Sequence, residues 1–192
     1  DRELRVAPIT LKVQKVNQPP LPGQLSSDED ARQRELKTAS WTIGSVKHIA
    51  EAGGVSSITY FETAGRKGVM ATNNQKSSKA FPSKPLALYP VYHVFRSLAE
   101  FKGGKIQTVT SSKPMSAVGM LLKMGDRRRM LVANFNGKKH QVKIRGLGGS
   151  SAKVVVVDEA LAKQAQFKLN AISKASPSRV ESSGGVIEVV LP

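Results

Sequence analysis

Apolar positions change their spacing once along this chain, and the change divides it in two. Leu36, Ala39, Ile43, Val46 and Ala50 recur every three or four positions, which is the buried stripe of a helix. Ser27 followed by Asp30 suits an N-cap with an acidic first turn, and Gly53 supplies a left-handed stop, so a helix is predicted within residues 28–52. Before it, residues 4–13 (LRVAPITLKV) alternate loosely and read as a strand, with Pro8 tolerated only at an edge or bulge. After it, residues 55–61 form a β-branched and aromatic run that reads as a second strand. Strand, helix and strand give one βαβ crossover, which requires a parallel pair. Residues 17–24 (NQPPLPGQ) read as a loop.

A second helix is predicted from Pro90, which suits a first helical position, with Val91, Val94, Phe95, Leu98 and Phe101 on its apolar face and Gly103-Gly104 closing it. Residues 72–84, between the strand and this helix, are polar and lysine-rich without periodicity, a long loop that is either functional or mobile. From Lys105 the period becomes alternating. Strands are predicted at 105–110, 117–124, 130–135, 141–145, 153–157 and 186–191. Gly125-Asp126 and Asn136-Gly137 carry hairpin-turn chemistry, residues 154–157 read as buried on both faces, and residues 171–185 read as a polar loop. Only residues 159–171 (EALAKQAQFKLNA) have helical composition in this half. The expected architecture is a helix–strand domain over 1–103 and an antiparallel β-sandwich over 104–192.

Composition narrows the function classes. Thirty basic and 14 acidic residues give a net charge of +16, which raises nucleic acid or an anionic surface as partners. The half after residue 103 has Phe135 and Phe167 as its only aromatics, too few for a base-stacking platform, so no sequence-reading nucleic-acid partner is expected. No apolar run has the length of a membrane span and no signal-peptide pattern opens the chain, so no membrane partner and a cytoplasmic location are expected. The chain starts at Asp1 close to a strand, and an upstream segment is expected. The absence of cysteine removes disulfides and Cys-ligated metal, and no HExxH motif or acid cluster supports a metal site. No cofactor is implied.

Glu62 is the leading candidate for chemistry. It stops the second strand, and a Thr/Gly/Arg/Lys loop follows at once, which is where α/β barrels keep their active sites. It reads as a nucleophile or a general base; the plainer alternative is a structural carboxylate paired with Arg66 or Lys67. Arg66 suits a substrate carboxylate or an oxyanion, or is a solvated loop residue. Thr63 is placed to face the site, and of Tyr60 and Phe61 one must enter the core. His93 follows the Pro90 turn near the expected rim, with a substrate role set against plain core or surface packing. His48 and His140 sit beside charged neighbours and read as surface. Trp41, the only tryptophan, reads as core packing on an outer helix. Residues 146–149 (GLGG) follow a strand but open no helix, so they are not a phosphate loop.

The blocks SWTIGSVKHIAEAGG, SSITYFETAGRKGVM, LYPVYHVFRSLAEFKGG and RRMLVANFNGKKHQVKI, in that order, resemble the C-terminal half of the D-apionate lactonase family over roughly residues 4–158. Such proteins look like clan-A glycoside hydrolases, a TIM barrel followed by a β-sandwich. The resemblance implies that residues 4–13 and 55–61 are barrel strands six and seven, that the Pro90 helix is the last barrel helix, and that the first half of the barrel is missing. It implies hydrolysis of a sugar lactone or a glycosidic bond, with Glu62 as the strand-seven carboxylate, Arg66, Thr63 and His93 as substrate contacts, and a second acid upstream on strand four. Residues 12–17 (KVQKVN) depart from the family's expected arginine-phenylalanine-asparagine stretch, so a diverged, inactive barrel is one rival reading. The other is a non-enzymatic basic module that binds acidic glycans or other polyanions.

Overall fold

Two strands, β1 (Leu4–Ile9) and β2 (Val55–Tyr60), pair in parallel across α1 (Leu36–Ala52), as the alternation predicts. The computed structural model describes residues 3–12, 21–168 and 170–192, so residues 13–17 of the departing KVQKVN segment and residues 17–20 of the 17–24 loop lie outside it. Pro8 has no N–H for a ladder, and the register slips between Val6 and Ile9, around it. The acidic segment before α1 is not helical throughout. Asp30 accepts from the backbone N–H of Arg32 at 2.9 Å and caps a separate 3-10 turn, Ala31–Arg34. Gly53 closes α1 at φ 70° and ψ 179°, which is extended backbone of positive φ rather than the left-handed helical geometry expected.

Two strands of three residues each, β3 (Glu62–Ala64) and β4 (Gly68–Met70), pair in parallel within one loop. Gly68 permits this pairing, because a Cβ there would sit 2.6 Å from the backbone of Ala64. Helix α2 (Pro90–Ala99) begins on Pro90, buries Val91 and Val94, and half-buries Phe95 and Leu98.

The remaining strands are all antiparallel. β5 (Lys105–Gln107), β6 (Ala117–Met124) and β7 (Arg127–Asn134) form one sheet in that order, and Gly125-Asp126 turns the β6–β7 hairpin with Met124 opposite Arg127. β8 (His140–Arg145) pairs with β11 (Val186–Leu191), and β9 (Ser151–Val154) pairs with β10 (Ser178–Glu181). Three expectations are corrected here. Asn136-Gly137 is not a hairpin turn, because β8 takes β11 as its partner instead of β7. The supposed loop 171–185 contains β10. The run 154–157 leaves the sheet after Val154, so Val155 and Val156 are 45% exposed. Helix α3 (Glu159–Ala165) forms where helical composition was noted, with the Asp158 side chain capping Leu161 N–H at 2.8 Å. No closed barrel is present among the described residues, and the ladders give one three-stranded sheet and several two-stranded ribbons.

One core joins both halves of the chain. Val118, Met120 and Leu122 alternate on the β6 face that meets α1, and share one core cluster with Ala39, Ile43 and Val46 of α1 and Val91 and Val94 of α2. Gly44 lets the Phe135 ring lie against α1, where a Cβ would come 2.7 Å from its Cζ. The same side of α1 buries Lys47, whose Nζ is 2.5 Å from Glu51. Glu51 also accepts the Val109 N–H at 3.2 Å, so a buried ion pair fastens α1 to the chain that follows β5.

Candidate active site

Where β2 ends, the backbone turns through Phe61 at φ 50°, a left-handed conformation that costs a residue with a Cβ about 1–2 kcal/mol. Burial of the ring offsets that cost. Its centre lies 6.4 Å from Trp41, 5.8 Å from Tyr60 and 6.3 Å from Phe95. Phe61 is thus the core member of the Tyr60-Phe61 pair. Tyr60 is half-buried, with its hydroxyl 2.6 Å from Ser45 Oγ, and burial raises its pKa. The turn lifts Glu62 out of the β2 ladder and starts β3 with it.

Glu62 Oε1 lies 2.9 Å from Lys67 Nζ, and its side chain remains 54% exposed. The same Lys67 nitrogen donates to Asp28 Oδ2 at 2.9 Å, so the two carboxylate oxygens are no farther apart than twice that distance. Lys67, not Arg66, is the structural partner of Glu62. Hydrogen bonds to Glu62 and Asp28 raise the Lys67 pKa, and the bond from Lys67 holds Asp28 below the usual carboxylate range. Lys67 and Asp28 are therefore both charged at neutral pH.

Arg66 pairs with Glu29 at 3.3 Å, and its guanidinium lies 5.8 Å from the centre of the Phe81 ring. Arg34 lies at 5.8 Å from the same ring. Phe81 comes from the lysine-rich loop and is fully buried, edge-on to Tyr89 at 6.0 Å. The Tyr89 hydroxyl accepts from Gln75 Nε2 at 3.2 Å. This loop is therefore pinned from within by one aromatic side chain. Glu62 N–H donates to Lys67 O at 3.1 Å, Gly65 N–H to Met70 O at 2.8 Å, and Gln33 Nε2 to Gly68 O at 2.9 Å.

The remaining candidates are more scattered. Thr63 is exposed on β3, beside Glu62. His93 sits in the first turn of α2 with its ring edge-on to Tyr92 at 5.4 Å. Burial, helped by the charge of Arg96, lowers its pKa to about 4, so it is neutral at physiological pH. Among the described residues it shares no hydrogen bond or ion pair with Glu62, Thr63 or Arg66. Glu62, Thr63 and Arg66 thus come together on one loop, and His93 stands apart. Trp41 departs from the core reading. It is 37% exposed and, with Leu11, Arg32, Lys37 and Thr38, lines a hollow of about 150 Å³ that none of the four candidates lines. His48 is exposed, and His140 Nδ1 lies 2.8 Å from Lys138 O. No group of three or more metal-ligating side chains occurs among the described residues. No described helix is long and apolar enough to cross a membrane.

Residue-by-residue reading missed Asp28, Glu29, Gln33 and Phe81 as parts of this site. The signal was available in one respect: the acidic run Asp28-Glu29 is matched by the adjacent basic pair Arg66-Lys67, and each acid takes one cation.

A parallel βαβ unit with a charged loop at the end of its second strand is the repeating element of β/α barrels. A family model for the D-apionate lactonase TIM barrel domain matches residues 1–103, more than half of the chain, and the chain belongs to that family. No curated protein matches it.

Proposed function

We propose that this chain serves the hydrolysis of a sugar lactone, with Glu62 as the general base. The reading rests on membership of the D-apionate lactonase family. The single observation that carries it is the placement of Glu62: a half-exposed carboxylate just past the end of β2, oriented by its ion pair with Lys67. In the proposed step Glu62 takes a proton from water, the water oxygen attacks the ring carbonyl, and the ring C–O bond then breaks to leave a hydroxy acid. Arg66, which gives Glu29 only one hydrogen bond, stabilises the oxyanion that forms on the carbonyl oxygen, and Thr63 and His93 contact the sugar hydroxyls. A neutral His93 suits hydroxyl recognition, since its ring offers both a donor and an acceptor. The boundary near Gly103 and the assembly of β5–β11 into a sandwich belong to the same proposal.

Ring opening of a lactone releases one acid equivalent per turnover at neutral pH. Proton release on adding a five-membered sugar lactone is therefore the expected result. Cleavage of a glycoside without proton release from any lactone would replace this reading by glycosidase chemistry.

A further inference from the structure

We propose that the exposed row Lys105–Lys123–Arg128, at the Gly125 end of the β5–β6–β7 sheet, is a docking surface for an acidic polysaccharide. Antiparallel register sets Lys105 directly opposite Lys123, and Lys123 directly opposite Arg128. Directly opposed residues share a face, so three cations stand in one row at strand spacings of about 4.8 Å. All three are exposed. No carboxylate among the described residues pairs with any of them, and Asp126 in the adjoining turn pairs with none.

Like charges set directly across a sheet destabilise it, so such a row calls for a counter-ion. Protection of an exposed strand edge would account for Lys105 on β5, because lysine there blunts edge-to-edge pairing. It does not account for Lys123, which lies on the central strand between two further cations.

Two glycine features build the row. At Gly104 a Cβ would collide with the carbonyl oxygen of Lys123 and come 2.9 Å from that of Phe101, so only glycine lets β5 enter this close to β6. At Gly148, with φ 67°, a Cβ would come 2.6 Å from a terminal nitrogen of Arg128. The GLGG segment thus lies flat on that guanidinium, and Leu147 O accepts from it. The contact orients Arg128 without neutralising it.

The surroundings favour a glycan over a nucleic acid. No exposed aromatic adjoins the row: Phe101 is buried, with Arg127 and Arg129 over its ring at 5.0 and 5.2 Å, and Phe135 lies at the far end of β7. A linear chain with regularly spaced carboxylates or sulfates matches a straight row of cations.

The test is a binding titration with polygalacturonate and with a 20-base-pair duplex DNA at two salt concentrations. The expected result is polygalacturonate binding that weakens with salt, and weaker binding of the duplex. The Lys105→Gln/Lys123→Gln/Arg128→Gln variant should lose roughly tenfold in affinity, and a Lys138→Gln/Lys139→Gln/Lys153→Gln variant of the same net charge should lose less than about threefold. Relief of like-charge opposition should leave the row variant's thermal midpoint unchanged or higher. Lys123→Gln alone, the smallest change, should lose roughly twofold to threefold. Equal losses in the two triple variants, no loss in the row variants, or tighter binding of the duplex would overturn the proposal.

Discussion

The loops after β1 and β2 and the sheet face of β5–β7 are both basic, yet they treat charge in opposite ways. In the loops, cations meet acids: Arg32 meets Asp30 at 2.6 Å, Arg66 meets Glu29, and Lys67 meets both Asp28 and Glu62. On the sheet face, Lys105, Lys123 and Arg128 meet one another. Composition sets up the contrast. Residues 1–103 carry 15 basic and 9 acidic groups, and residues 104–192 carry 15 basic and 5 acidic, so the second part lacks the acids to pair its cations. Net charge alone says little about what a basic protein binds. Pairing decides it: a paired cation orients a neighbour, and an unpaired one attracts a partner.

The largest expected effect tests whether one aromatic anchors the loop side of this contrast. Phe81→Ala empties a fully buried site between Arg34, Arg66 and Tyr89, and equilibrium denaturation should show a loss of about 3–5 kcal/mol. A loss under 1 kcal/mol would mean that the lysine-rich loop is not pinned by this residue.

Next comes His93, which has a folded pKa of about 4 against 6.5 when unfolded. Between those values the unfolded chain binds more protons. The stability held by the neutral ring is thus fully present above pH 6.5 and lost as pH falls toward 4, to a total of roughly 3 kcal/mol. Thermal midpoints measured across this window should fall for the wild type and stay flatter for His93→Gln. Parallel curves would show that His93 is not the group responsible.

Gly104→Ala should follow, at about 1–3 kcal/mol, because the new methyl meets backbone rather than a movable side chain. A variant as stable as the wild type would mean that β5 tolerates displacement from β6. The smallest effects compare the two kinds of lysine directly. Lys67→Met leaves Asp28 and Glu62 without their shared cation and should cost about 1 kcal/mol or more. Lys143→Met breaks an exposed pair with Glu188 and should cost less than about 0.5 kcal/mol. Equal costs, read from chemical denaturation, would erase the distinction between the two regions.

Much of the fold was legible in the sequence where periodicity ran long enough. The βαβ unit and the Pro90 start of α2 emerged from spacing, and β6 and β11 match their predicted bounds of Ala117–Met124 and Val186–Leu191. Strands of three residues, such as β3 and β4, complete barely one alternation and leave no such signal. β10 was hidden because its partner β9 lies far back in the chain, and pairing at that range depends on tertiary packing. At the candidate site, Glu62, Thr63 and Arg66 were visible from strand-end chemistry. Asp28 and Glu29 were masked by their plainer reading as first-turn acids of a helix, and Phe81 by the polar loop around it. The burial of Lys47 was equally hidden, since it reflects packing of α1 on a sheet that begins more than fifty residues later.

The central claim is that Glu62 works as a base and not merely as an anchor for Lys67. Glu62→Gln keeps shape and hydrogen bonding but removes the charge, so sugar-lactone turnover and thermal midpoint should be measured together on the natural protein. Turnover should fall by at least roughly 100-fold, the usual scale for a lost general base, while the midpoint barely moves. Near-normal turnover, with or without a lowered midpoint, would contradict the account and leave Glu62 a structural partner of Lys67.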